Sequence, residues 1–202
     1  MRPLRLLVTA LVGLILTAGT LFASTFLSAE FREVVSEAST IVRGRVTDVR
    51  AVRAPAGNVE SVVTIAVEAS LKGSTESFVA MRIPGGTIGR YRTVMVGAPV
   101  MRVGEQAVFF LKRGPGNSLW PVGLGQGIYR VSFSAGASAA GGTGAGGTGG
   151  GDSTVPMVHA PVLPGVTTNA VGAVVRGDAR RKSLPLTEFE SLVRLLLTRG
   201  AQ

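Results

Sequence analysis

Ile41-Val42-Arg43-Gly44-Arg45-Val46-Thr47-Asp48-Val49, followed after Pro55-Ala56-Gly57-Asn58 by the run Val59 to Leu71, decides the fold. In the first segment Val42, Gly44 and Val46 fall on one side of a two-residue repeat, and Arg43 and Arg45 fall on the other. That alternation marks a strand with one buried face. The second run carries Val62, Val63, Thr64, Ile65 and Val67, branched side chains that suit a pleated surface. The Pro-Ala-Gly-Asn cluster between them is turn chemistry.

Working outward, the β signals continue toward the C-terminus. Phe78 to Ile83 reads as a third strand stopped by Pro84-Gly85-Gly86, and Tyr91 to Val96 as a weaker one ending at Gly97-Ala98-Pro99. Val103-Gly104-Glu105 then leads into Ala107-Val108-Phe109-Phe110-Leu111, an unbroken apolar run expected to be a central strand. Leu119 to Val122 and Gly127 to Phe133 complete the set. Short strands at regular spacing with Gly/Pro turns predict a mainly β domain, a barrel or a sandwich.

Helices are expected at both ends. Over residues 29–38, Phe31, Val34, Val35 and Ala38 share one helical face, Ser28 is placed to cap it, and Glu30 and Glu33 suit its first turns. This short helix is expected to plug the end of a barrel. A second helix is predicted from about Glu188 to Thr198, with Thr187 and Glu190 as a capping box and an apolar stripe of Phe189, Leu192, Val193 and Leu196. A helix of this length is marginal alone, so the stripe is expected to dock on the domain.

The N-terminus carries an export signal. Arg2 and Arg5 precede the apolar stretch Leu6 to Leu16, and the small residues Thr17 to Thr20 follow. This is the layout of a secretory signal peptide. No strict Ala-x-Ala site follows, and Leu4 to Leu27 is long enough to span a bilayer, which takes about 20 residues, so an uncleaved anchor is the alternative. Both outcomes place the domain outside the cytoplasm: periplasmic, secreted or membrane-tethered. The expected organisation is a signal peptide or anchor over 1–28, a β-barrel domain over 29–133 and a Gly-rich flexible linker over 134–154. An irregular segment over 155–183, bearing Pro156, Pro161 and Pro164, then leads to the C-terminal helix over 184–202.

Charge and composition narrow the function classes. The net charge is +9, with Arg far outnumbering Lys, but the arginines are scattered and the densest run is Arg176 to Lys182, with Arg180, Arg181 and Lys182 adjacent. That pattern falls short of a nucleic-acid patch. With 0 Cys among 202 residues, no disulfide, zinc-thiolate or thiol-nucleophile chemistry is open to the chain. Neither is lipoprotein anchoring. Hydrophobic residues at 46% supply enough apolar surface for a core held by packing alone.

Catalytic constellations are missing from the sequence. His159 is the one histidine, it sits between prolines, and no G-x-S-x-G elbow is present. The acids Glu30, Glu33, Glu37, Asp48, Glu60, Glu68, Glu76 and Glu105 show no metal-ligand spacing. Gly85-Gly86-Thr87-Ile88-Gly89 lacks the Gly-Lys-Ser/Thr ending of a phosphate loop, and its glycines are expected to serve turns. A candidate interaction surface combines the aromatic residues Trp120 and Tyr129 with Gly123 and Gln126 from the loop Gly123-Leu124-Gly125-Gln126-Gly127. Three glycines around one Gln allow another backbone to approach closely, or simply make a tight hairpin.

The succession of a helix, Ile41 to Val46, Leu71-Lys72-Gly73, Ile83-Pro84-Gly85-Gly86, Gly97-Ala98-Pro99, Gly104-Glu105 and Gly123-Leu124 to Val131 resembles a group of uncharacterised exported bacterial proteins. More distantly it is similar to the netrin-like domain of tissue inhibitors of metalloproteinases. The resemblance spans about residues 30–133 and implies a small OB-like, closed or partly open β-barrel with flanking helices. The inhibitors reach the protease zinc through an N-terminal Cys held by disulfides. This chain has 0 Cys, so that mechanism does not carry over. The expected function is a non-enzymatic binding module of the cell envelope or secreted fraction, with a protein or envelope partner and no cofactor. Membrane contact is expected only through an uncleaved N-terminal segment. The alternatives are an inhibitor or accessory of an exported metalloprotease and a cryptic hydrolase using His159.

Overall fold

The computed structural model describes residues 29–73, 76–134, 155–161, 166–168, 174–176 and 182–200. The expected export segment, its Ser28 cap and the Gly-rich tract from 135 to 154 lie outside these residues.

Strand β1 (Thr40–Arg53) and strand β2 (Val59–Lys72) form a long antiparallel hairpin in register from Ile41↔Lys72 to Arg53↔Val59. Strand β3 (Phe78–Pro84) pairs antiparallel with β2. A small separate hairpin follows, made of β4 (Gly86–Ile88) and β5 (Tyr91–Thr93). Strand β6 (Gln106–Arg113) returns to the free edge of β1, from Thr40↔Leu111 to Arg45↔Gln106. Its other edge holds β7 (Leu119–Pro121) and β8 (Ile128–Ser134) end to end. Leu119 of β7 meets Met81 of β3 in a parallel pair and shuts the ring β1-β2-β3-β7-β6. The expected mainly β barrel with a helix on either side in sequence is therefore present as a closed five-stranded barrel.

Closure requires β1 to coil, because it serves β2 along its whole length and β6 over its first half. Its pairing slips at Ile41/Val42, Arg43/Gly44 and Val46/Asp48, and bulges of this kind sharpen strand twist. Gly44 sits at one slip. A Cβ there would lie 2.3 Å from the Ala66 carbonyl oxygen and 2.6 Å from Ile65 Cγ2, so only glycine lets the two strands approach this closely.

Two apolar cores share β6. Ala107, Phe109 and Leu111 point into the barrel with Val42, Val46, Val63, Ile65 and Met81. Val108 and Phe110 point outward, into a second cluster with Ile41, Val34, Val35, Tyr129 and Phe189. That second cluster lies beneath helix α1 (Phe31–Glu37) and helix α2 (Leu186–Arg199). Glu33 accepts the Glu30 N–H at 2.9 Å to open α1. Lys72 Nζ donates to the Val35 and Ala38 carbonyls at its other end, where a cation also suits the helix dipole.

Three expectations need correction. Helix α1 does not plug the barrel: its apolar face covers the outer side of β1, β6 and β8, and Met101, from the connection between β5 and β6, enters the interior. Helix α2 has no Thr187–Glu190 capping box, because it starts at Leu186 and the Glu190 carboxylate is drawn to Arg43 and Arg194. Its buried stripe is Leu186, Phe189 and Val193, while Leu192 stands 37% exposed. The stripe docks on the domain as expected. The segment 155–183 is not wholly irregular either. It carries β9 (Val155–His159), antiparallel to β8 from Ser134↔Val155 to Arg130↔His159, and the hairpin of β10 (Val166–Thr168) and β11 (Val174–Arg176). Strand β12 (Leu184–Pro185) then pairs with β9. Pro156 and Pro161 fall near the start and just past the end of β9, positions where a missing N–H is tolerated.

Candidate binding groove

The residues singled out in the sequence do not form one surface. Trp120, on β7, packs against Gly114, where a Cβ would meet its ring at 2.3 Å, and it donates from Nε1 to Ser118 Oγ at 3.0 Å. Gly123 opens a 3₁₀ turn with φ 56°, a left-handed conformation that suits glycine. Gln126 is buried, and its Oε1 accepts the Ala29 N–H at 2.7 Å. Tyr129 is buried in an aromatic group with Phe31, Phe110 and Phe189, at centroid separations of 5.4, 5.3 and 5.1 Å. These geometries are those of packed aromatic pairs. The close backbone approach expected of the glycine loop does occur, to this chain's own backbone. Gly125 N–H donates to the Gly97 carbonyl at 3.1 Å, and a Cβ on Gly127 would stand 2.7 Å from the Phe110 oxygen.

His159 lies on β9 with both ring nitrogens engaged by hydroxyls. Ser132 Oγ is 2.6 Å from Nε2 and Ser183 Oγ is 2.8 Å from Nδ1. One hydroxyl donates and the other accepts when the ring is neutral. The cluster clasps β8, β9 and the start of β12 on an exposed face. Among the described residues, no three acidic or histidine side chains come together to hold a metal.

One groove of about 310 Å³ borders the barrel interior, sharing Val63, Ile83 and Met101 with the inner cluster on the β1-β2-β3 side. Val49 and Ala51 of β1, Ser61 and Val63 of β2 and Ile83 of β3 line it together with Val94, Met95 and residues 98–101. Gly85 (φ 94°) and Gly86 (φ 151°) carry the chain sharply across the strands. Ser61 Oγ holds this corner by donating to the Gly85 carbonyl at 2.8 Å. A Cβ on Gly86 would press to 2.8 Å from that same hydroxyl, so a larger residue there would close this corner of the groove.

The rim is apolar and open to solvent. Val94 is 69% exposed, Met95 49%, Val96 65% and Val100 64%. Grouped exposed aliphatic side chains of this kind mark interaction surfaces. Within this stretch of chain the charge has one sign: from Ser77 to Gly104 the sequence holds Arg82, Arg90, Arg92 and Arg102 and no Asp or Glu, while Glu60 and Glu105 come in from β2 and from just before β6. Arg82 is taken by Glu60 at 2.9 Å, and Arg90 stacks over Tyr91 at 5.1 Å from the ring centroid. Arg102 reaches Glu105 only at 3.7 Å and stays largely exposed. Arg92 lines the groove and is the one ionisable residue that does so among the described residues. The sequence reading missed this rim because Tyr91 to Val96 looked like a strand. Only Tyr91–Thr93 pairs, and the apolar residues after it point to solvent. The legible signal was the absence of acids across the whole stretch.

Comparison with protein-family models and with curated proteins finds no match for this chain.

Proposed function

We propose that this protein is an exported, non-enzymatic binding module of the cell envelope, and that the groove between the β1-β2-β3 surface and the 94–101 loop is its binding surface. The observation that carries this reading is the exposed aliphatic rim above a preformed groove on a closed barrel. Small barrels of the OB type bind through one face and its adjoining loops, and the groove occupies a face-and-loop position. Its lining offers backbone groups, aliphatic side chains, the hydroxyls of Ser61, Thr87 and Thr93 and one guanidinium, which suits contact with an extended ligand better than proton transfer. Export is supported by the Arg2/Arg5 and Leu6 to Leu16 pattern.

The test is site-specific photocrosslinking in the native envelope. A crosslinker at Val100 is expected to give a discrete adduct that weakens when Gly86→Leu fills the corner, while one at Ala80, on the far part of β3, gives none. Val100 adducts no stronger than those at Ala80 would remove the groove as a binding surface. Mass spectrometry of the mature N-terminus, in the same fractions, separates a released protein from a tethered one.

A further inference from the structure

The rim lies close in structure to the point where the apolar N-terminal segment joins the domain. Ala29, the first described residue after that segment, donates its N–H to Gln126 Oε1 at 2.7 Å. The adjacent residue Gly125 donates to the carbonyl of Gly97, at the middle of the rim loop, at 3.1 Å. Arg130 Nη2 fixes the loop further along by donating to the Val100 carbonyl at 2.9 Å. Residues 6–27 contain no charged side chain. The Val94–Val100 loop and the exit from a lipid-compatible segment therefore sit on one side of the barrel.

The loop has the chemistry of a bilayer interface. Val94, Met95, Val96 and Val100 present branched and flexible aliphatic tips to solvent, suited to the acyl boundary. Tyr91 is 61% exposed beside Arg90, an amphipathic pair that suits headgroup depth. Arg90, Arg92 and Arg102 flank the tips without an acid between Ser77 and Gly104, and arginines so placed are drawn to anionic headgroups. The tract from 135 to 154, made of Gly, Ala, Ser and Thr apart from Asp152, has no large apolar side chain that would cover such a surface.

We infer that the Val94–Val100 loop docks on an anionic phospholipid surface, with its aliphatic tips in the acyl boundary and Arg90, Arg92 and Arg102 against the phosphates. The inference rests on the reading of this rim as the binding surface and names its partner. Cleavage or retention of the N-terminal segment leaves the loop's own chemistry unchanged.

The full chain has 0 Cys, so a single Val96→Cys substitution takes an environment-sensitive fluorophore at one site. It is reconstituted in vesicles of phosphatidylcholine alone or with phosphatidylglycerol, and iodide quenching is read. Docking predicts blue-shifted emission and a roughly threefold fall in quenching in the anionic vesicles only, as expected for tips held at headgroup depth or below. An Ala80→Cys label should stay fully quenchable in both. Arg90→Gln with Arg92→Gln should restore quenching at residue 96, since each arginine near an anionic surface changes partitioning roughly fivefold. A Val96 label as quenchable in anionic vesicles as the Ala80 label would overturn the inference. Equal protection in neutral vesicles would do so too, because the arginines would then contribute nothing. If these lipid results fail while Val100 still crosslinks to an envelope protein, the binding-module reading stands and the lipid assignment falls.

Discussion

The two cores on either side of β6 are built from different material and by different routes. Among the described residues the barrel interior is almost wholly aliphatic, with Phe109 its one aromatic residue, and its contributors lie between Val42 and Ile128. The outer layer is organised by four mutually packed aromatic rings, Phe31, Phe110, Tyr129 and Phe189, drawn from both helices and two strands. Strands that curl around a narrow interior leave room for branched side chains of similar size. A helix laid on a curved sheet leaves wedge-shaped gaps, and flat rings at steep angles fill these well. The difference teaches that the barrel is a contiguous unit, while the outer layer depends on a helix that is distant in sequence.

That contrast can be broken experimentally, starting where the effect is largest. Phe109→Ala empties the centre of the barrel and should cost about 4 kcal/mol in denaturant unfolding; a loss below about 1 kcal/mol would mean that the interior is not close-packed. Phe189→Ala should cost about 3 kcal/mol, and hydrogen exchange should show α2 losing protection while β2 and β3 keep theirs. Uniform loss of protection would instead make the two cores one cooperative unit. Arg43→Ala strips the 2.9 Å partner from the buried Glu190 carboxylate and should cost about 1–2 kcal/mol, with Arg43→Met no better. Asp48→Asn removes the 2.6 Å pair to Arg50, whose side chain is 72% exposed, and should shift stability by less than about 0.5 kcal/mol.

The barrel was more legible in the sequence than the outer layer, and the reason is periodicity. Val42, Val46, Val63 and Ile65 repeat at strand spacing, and Ala107 to Leu111 announces itself by being apolar at every position. Burial on both faces is why that run lacks alternation. The N-terminal helix was found from Phe31, Val34, Val35 and Ala38, but no local pattern tells which surface such a face will meet. Strand β9 was hidden by Pro156 and Pro161, whose tolerance depends on where they fall along the strand. The site was read least well. Gln126 and Tyr129 carry polar groups that suggested a surface, yet tertiary contacts bury both. The exposed Val94, Met95 and Val96 carry an apolar signal that suggested a strand.

A strand that lends one face to each core has no side left for polar residues, and this shapes the chain before it folds. Ala107-Val108-Phe109-Phe110-Leu111 is the kind of uncharged, β-prone segment that seeds amyloid-like association when exposed. Glu105 and Gln106 stand immediately before it, and Lys112 and Arg113 immediately after. Lys112 and Arg113 are exposed in the folded protein, where they reach Glu37 and Asn117, and they stand at the flanking positions where charge discourages self-adhesion of an unfolded chain.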